Sequence, residues 1–155
     1  MTIDCILTSD PFDAGARLRQ FSVSSNGAGA IASFTGIARS ASKDGRAVKG
    51  LFLDHHARLT AKSMNAIANA AMDRFAITEL LAIHRFGWVP AGDPIVLVAA
   101  VSSHRRAALQ AVDYTMDRLK TDAVFWKRED TGNGSHWIEP TSADYRDTKR
   151  WELKP

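Results

Sequence analysis

The stretch PIVLVAAVSSHRRAALQAVDYTMDRLK, residues 94–120, changes its periodicity halfway along. Pro94 to Val101 is a strongly apolar run that reads as a strand. Ser102 or Ser103 then supplies a helix cap, and Ala108, Val112, Thr115, Met116 and Leu119 recur at helical spacing to about Lys120. Upstream, Pro90-Ala91-Gly92-Asp93 reads as a turn and Ile77 to Arg85 as another strand. Before these, Met64, Ile67, Ala68, Ala71, Met72 and Phe75 mark one buried stripe of a helix over Thr60 to Phe75.

Further out, Val48 to His55 alternates as a strand with Leu51, Leu53 and His55 on one face, and Ala30 to Arg39 suits a buried strand with Arg39 at its exit. The polar loop 40–46, turning at Gly45, is expected to join these two strands as a hairpin. Thr2 to Thr8 favours a first strand, Asp10 and Pro11 resemble the start of a short helix through Leu18 or Phe21, and Ser22 to Gly29 reads as a loop. On the C-terminal side, Gly132-Asn133-Gly134-Ser135 is a turn between short strands, with His136-Trp137-Ile138 returning. From Thr141 the tail is mostly polar, with Trp151 and Leu153 as isolated apolar anchors. This order of elements predicts an α+β domain, helices packed on a mainly antiparallel sheet, spanning residues 1–155 as one unit.

Composition narrows the function. With 45% hydrophobic and 24% charged residues the chain is an ordinary globular type, and one of 155 residues buries roughly two thirds of its unfolded surface. Its longest apolar run is too short to span a bilayer, and the N-terminus lacks a secretory pattern, so a cytoplasmic protein with no membrane partner is expected. Cys5 is the only cysteine, which excludes an internal disulfide and leaves no thiolate-rich metal site. A net charge of +3 gives little non-specific attraction to nucleic acid. An RNA-binding domain using Phe34, Trp126 and Trp137 for stacking is therefore disfavoured, for want of an Arg- and aromatic-patterned strand pair. No metal motif, nucleophile elbow or phosphate-cradling glycine loop is present, so no metal or cofactor is expected.

Basic residues stand out by position. In Lys120-Thr121-Asp122-Ala123-Val124-Phe125-Trp126-Lys127-Arg128-Glu129, two lysines flank an apolar run, and such a wall beside cations suits a compact anion. Seven residues of continuous helix, or a bend at Asp122 to Phe125, would each let the two amines converge; equally, both could be surface lysines beside a core Phe125 and Trp126. His104 and Arg105 lie where a helix begins, and the dipole there disfavours cations unless an anion or acidic side chain is near. The plain alternative is that they solvate the helix start. Arg39 could hold phosphate in a bidentate contact.

Taken together, Phe34-Thr35-Gly36-x-x-Arg39, His84-Arg85-x-Gly87, Pro90-x-Gly92-Asp93, Ser103-His104-Arg105, Leu119-Lys120-Thr121 and Phe125-Trp126-Lys127-Arg128-Glu129 resemble the large, catalytic subunit family of molybdopterin synthase. The likeness runs from about Ile3 to Trp151. It implies an α/β hammerhead fold with an additional small β subdomain, and a central homodimer within a heterotetramer. It also implies a partner, a small ubiquitin-like sulfur carrier ending in a Gly-Gly thiocarboxylate. The implied reaction is a sulfur transfer to cyclic pyranopterin monophosphate, making the molybdopterin dithiolene. By the same resemblance Ile37, Ala38, Arg39, His104, Arg105, Lys120, Lys127, Arg128 and Glu129 line the substrate pocket, with Lys120 and Lys127 catalytic. A non-catalytic module that only docks a carrier tail is the rival, and the basic cluster argues against it. Two departures from the family pattern stand out: Asp54-His55-His56-Ala57 replaces an acidic-aromatic strand end, and Val124 stands where a proline is common, freeing one backbone N–H.

Overall fold

β6 (Pro94–Ser102) organises the molecule because both of its faces are covered. The computed structural model describes residues 1–25 and 27–152. In it β6 lies inside a four-stranded sheet of order β1-β4-β6-β2, with β1 at Thr2–Thr8, β2 at Ala30–Ile37 and β4 at Glu79–Arg85. On one face Val96, Val98 and Ala100 pack with Leu80 and Ala82 against α2 (Ala57–Arg74) and α3 (Arg105–Thr121). On the other, Leu97 and Ala99 join Leu81 and Ile83 beneath Phe12, Leu18 and Phe21 of the α1 region, whose helix spans Ala14–Ser24. Two covered faces explain why β4 and β6 carry continuous apolar runs instead of alternation. Each fully buried Leu or Ile side chain there stabilises the fold by about 1.5–3 kcal/mol.

The β1–β4 pairing is parallel and every other strand pair is antiparallel. A second four-stranded sheet, β5-β3-β7-β8, is built from β3 (Gly50–His55), β5 (Gly87–Pro90), β7 (Phe125–Asp130) and β8 (Ser135–Ile138). Its inner face is a small core of Leu53 and Val89 with Ala38, joined by Leu51, Ile95 and Phe125. The α+β expectation and the extra β unit are thus both present.

Several local expectations are corrected. β2 and β3 do not form a hairpin: β2 pairs with β6 in the large sheet, while β3 pairs with β5 and β7 in the small one. Strand propensity identifies strands but does not choose partners when both neighbours are apolar. α1 is capped by Asp13, whose carboxylate accepts the Ala16 N–H at 2.8 Å, and Asp10 instead gives its backbone N–H to Thr8 Oγ1. α3 is entered at His104, because the Ser102 hydroxyl is engaged otherwise, donating to the Ala76 carbonyl at 2.7 Å and accepting the His104 N–H at 3.1 Å.

The tail contains a further helix, α4 (Ser142–Lys149), opened by a capping box in which Thr141 and Asp144 satisfy each other's backbone N–H groups. Trp151 does anchor this tail, edge-on to Phe75 at 5.7 Å and Tyr114 at 5.4 Å. Leu153 lies outside the described residues.

Candidate functional site

α3 ends at Thr121, and residues 122–124 turn the chain into β7, so Lys120 sits on the last helical turn and Lys127 on a strand. The bend, not a continuous helix, is what brings them together. It is anchored to α2: Thr60 Oγ1 donates to the Val124 carbonyl at 2.6 Å, and the Val124 N–H donates to Ser63 Oγ at 3.3 Å. The N–H that a proline would lack is therefore used. The other departure is absorbed as well, since the His56 ring caps α2 by accepting the Leu59 N–H at 3.3 Å.

In β7 Lys127 stands opposite Leu53 and Ile138. Cross-strand partners share a sheet face, so the Lys127 side chain runs along the apolar inner face with Phe125 and Glu129. Burial pushes its ammonium below the usual lysine range, and the nearby charge of Lys120 pushes it the same way; Asp144 acts in the opposite sense. Lys120 is about half exposed and its Nζ lies 3.3 Å from Asp144 Oδ1. The alternative of two unrelated surface lysines does not hold.

His84 completes this wall. Its ring stacks on Phe125 with centroids 4.1 Å apart, and its Nδ1 lies 2.8 Å from the Arg85 carbonyl oxygen. Burial pushes the imidazole down to about 4, helped by Lys127, so the ring is neutral and adds no charge. The unfolded chain takes up a proton near pH 6.5 that the folded one refuses until about 4, so stability falls as pH drops through that window. The loss is on the order of 3 kcal/mol. His84→Phe should flatten the pH dependence of urea unfolding between those limits, and an unchanged slope would contradict the burial of a neutral ring.

Ile37, Ala38 and Arg39 lie where β2 leaves the large sheet. A register shift at Gly36/Ile37 turns the chain there, and Ala38 is held by its N–H to the Asp93 carbonyl at 2.9 Å and by its carbonyl to the Gly92 N–H at 2.8 Å. Ala38 packs with Leu53 and Phe125 in the small core, placing Arg39 one residue from the face that carries Lys127. The Arg39 side chain is exposed.

Two expectations are not met within one chain. Arg128 alternates to the opposite face of β7 from Lys127, where its guanidinium lies 5.0 Å from the Phe52 ring centroid and 5.7 Å from that of Trp137. Its side chain does not join the lysines, because a strand's period of two separates neighbours. His104 and Arg105 begin α3 while Lys120 ends it, and fifteen steps at 1.5 Å make a separation of roughly 22 Å. Both are exposed, beside Leu109, which is 60% exposed.

The sequence reading missed His84 and Asp144. Asp144 was detectable from the Thr141-x-x-Asp144 spacing, whereas His84 entered only through the His84-Arg85-x-Gly87 motif, with nothing local to place its ring beside Lys127. Burial, with Asp4 adding to it, pushes the half-buried Cys5 thiol up to about 11, which keeps it protonated at neutral pH. Among the described residues no group of acidic, His or Cys side chains is placed to hold a metal, and no helix is long and apolar enough to cross a membrane.

A largely enclosed lysine, a second lysine that is half exposed and a neutral aromatic wall make an arrangement that suits a compact anion. Comparison with known proteins agrees in kind. The MoaE protein family model matches residues 7–122. The molybdopterin synthase catalytic subunit of Pseudomonas aeruginosa is 41% identical over 91% of this chain and 93% of its own length. That of Caulobacter vibrioides is 39% identical over 94% and 95%. The structure of the molybdopterin biosynthesis MoaE protein from Burkholderia ambifaria superposes with a TM-score of 0.81 at 32% identity, covering 98% of this chain and 99% of that one. With a family model covering most of its length and relatives this close, the chain belongs to the MoaE protein family.

Proposed function

We propose that this chain is the catalytic, large subunit of a molybdopterin synthase, a cytoplasmic sulfurtransferase. It takes sulfur from the C-terminal thiocarboxylate of a small ubiquitin-like carrier and places it on cyclic pyranopterin monophosphate, forming the dithiolene. The observation that carries the reading is the convergence of Lys120 and Lys127 on an apolar face, in a chain whose relatives are named for this synthase. That those relatives are called subunits supports a carrier partner. A half-buried Cys5, whose thiol is pushed up to about 11, fits a reaction whose sulfur arrives on that partner.

In this reading Lys120, half exposed at the end of α3, meets the incoming tail and polarises the thiocarboxylate or relays protons. Lys127, fixed on the strand, stabilises the negative charge that develops on the substrate as it opens. Ile37, Ala38 and Arg39 form one wall, Arg39 binding phosphate, and Glu129 lies on the same sheet face as Lys127. His104 and Arg105 reach the pocket only from a second copy of the chain, given the length of α3. Exposed Phe34, Ile37 and Leu109 support such a homodimer, since a paired copy would bury them.

The test is single-turnover conversion with a thiocarboxylated carrier and cyclic pyranopterin monophosphate. Dithiolene is expected with the carrier and none without it; no product with the complete mixture would refute the reading.

A further inference from the structure

We propose that Asp144 is a positioning residue for the two-lysine site: its carboxylate, held by the cap of α4, fixes the Lys120 ammonium beside Lys127. The proposal rests on the reading above, in which these lysines carry the chemistry. It starts from how one carboxylate divides its oxygens. Oδ2 accepts the Thr141 N–H at 2.7 Å and the Thr141 hydroxyl at 2.8 Å, while Thr141 Oγ1 accepts the Asp144 N–H at 3.2 Å. Those bonds fix the carboxylate plane. Oδ1 is left to take Lys120 Nζ at 3.3 Å.

The helix behind it is clamped to α3. Thr148 Oγ1 donates to the Asp117 carbonyl at 3.3 Å and lies 3.0 Å from Thr121 Oγ1. Arg150 Nη2 reaches Asp113 at 2.8 Å and Asp117 at 2.7 Å, and Trp151 Nε1 donates to Asp117 Oδ2 at 2.7 Å. A lysine has a flexible four-carbon stem, so without a fixed partner its ammonium samples many positions. Here the partner is rigid and the lysine is not. The carboxylate's side chain is 19% exposed against 48% for Lys120, which keeps the contact from being fully screened.

The same carboxylate compensates the charge crowding around Lys127. Two charged groups shift that lysine, Lys120 of α3 and Asp144 of α4; the neutral His84 of β4 lies beside it, and Glu129 of β7 shares its sheet face. Its cross-strand neighbours Leu53 and Ile138 carry no charge. Asp144 is the carboxylate that favours the Lys127 charge.

Asp144→Asn retains an amide oxygen for the cap and removes the charge. Two readouts are needed. NMR titration of lysines labelled at Cε, in the protein without substrate, should show Lys127 losing its proton at lower pH in D144N than in the unaltered chain. Single-turnover sulfur transfer should fall roughly ten- to a hundredfold, with its alkaline limb moved to lower pH. Asp144→Glu keeps charge and cap chemistry; it should hold the limb in place and recover part of the rate. An unmoved titration and limb in D144N would overturn the proposal, even if the rate falls through loosening of α4. So would a faster rate, which would make Asp144 a competitor for Lys120. If D144N does not fold, the glutamate variant decides: a limb displaced despite the retained charge overturns the proposal. An unaltered protein that makes no dithiolene would refute the proposed function, and the titration would still decide what Asp144 does to the lysines.

Discussion

Lys127→Met is expected to lower single-turnover sulfur transfer by a factor of about 10²–10³, the usual cost of losing one fixed group that stabilises developing charge. The fold should survive, because methionine occupies the same path along Leu53 and Ile138. Stability should rise. Burial and Lys120 lower the Lys127 ammonium's proton affinity, so the folded chain bears the cost of that charge at every pH below its folded value. The cost fades only as pH climbs toward the unfolded value of 10.5. Removing the charge at pH 7 should therefore stabilise the chain, measured by urea unfolding. A variant that is both less active and less stable would point to a structural lysine. For the parent chain, activity that depends on the Lys127 cation should be lost at a pH lower than an ordinary lysine would dictate.

Leu53→Ala should cost about 2–5 kcal/mol, the range for emptying a closed core site. Leu53 is fully buried, and its small cluster has few neighbours able to close over a void: Ala38, Val89, Leu51, Ile95 and Phe125. Because Leu53 pairs directly with Lys127, the defect should also reach the chemistry. A 1 Å displacement of a catalytic group can cost roughly a hundredfold in rate. The check is the free energy from chemical denaturation together with the single-turnover rate of the folded fraction. A loss below about 1 kcal/mol would mean the small sheet does not depend on this cluster.

Much of this was legible in the order of residues. The long apolar run at 94–101 and the stripes of α2 and α3 follow from local periodicity, and the structure has them with boundaries shifted by a few residues. Pairing was not legible: β2 and β3 are both apolar and adjacent, yet they belong to different sheets, and β5, only four residues long, left no periodic trace. α4 was hidden because its apolar contacts are few; it is held by polar bonds to Asp117 and by Trp151.

For the site, Lys120 and Lys127 were readable as a pair, but the bend that joins them depends on Thr60 and Ser63, some sixty residues away in sequence. Arg128 was grouped with Lys127 because a motif lists neighbours, while the strand sends their side chains to opposite faces. Motif adjacency carries no face information.

In the proposed function one site draws Lys120 and Lys127 from one copy and His104 and Arg105 from another. Co-expressing Lys127→Met and Arg105→Ala chains with different tags tests it directly. Each variant alone should transfer little sulfur. Random pairing should then restore roughly a quarter of the wild-type number of working sites, because half the dimers are mixed and each of those keeps one intact site. Mixed dimers, isolated through both tags, that remain as inactive as their parents would show that the site is not shared between copies.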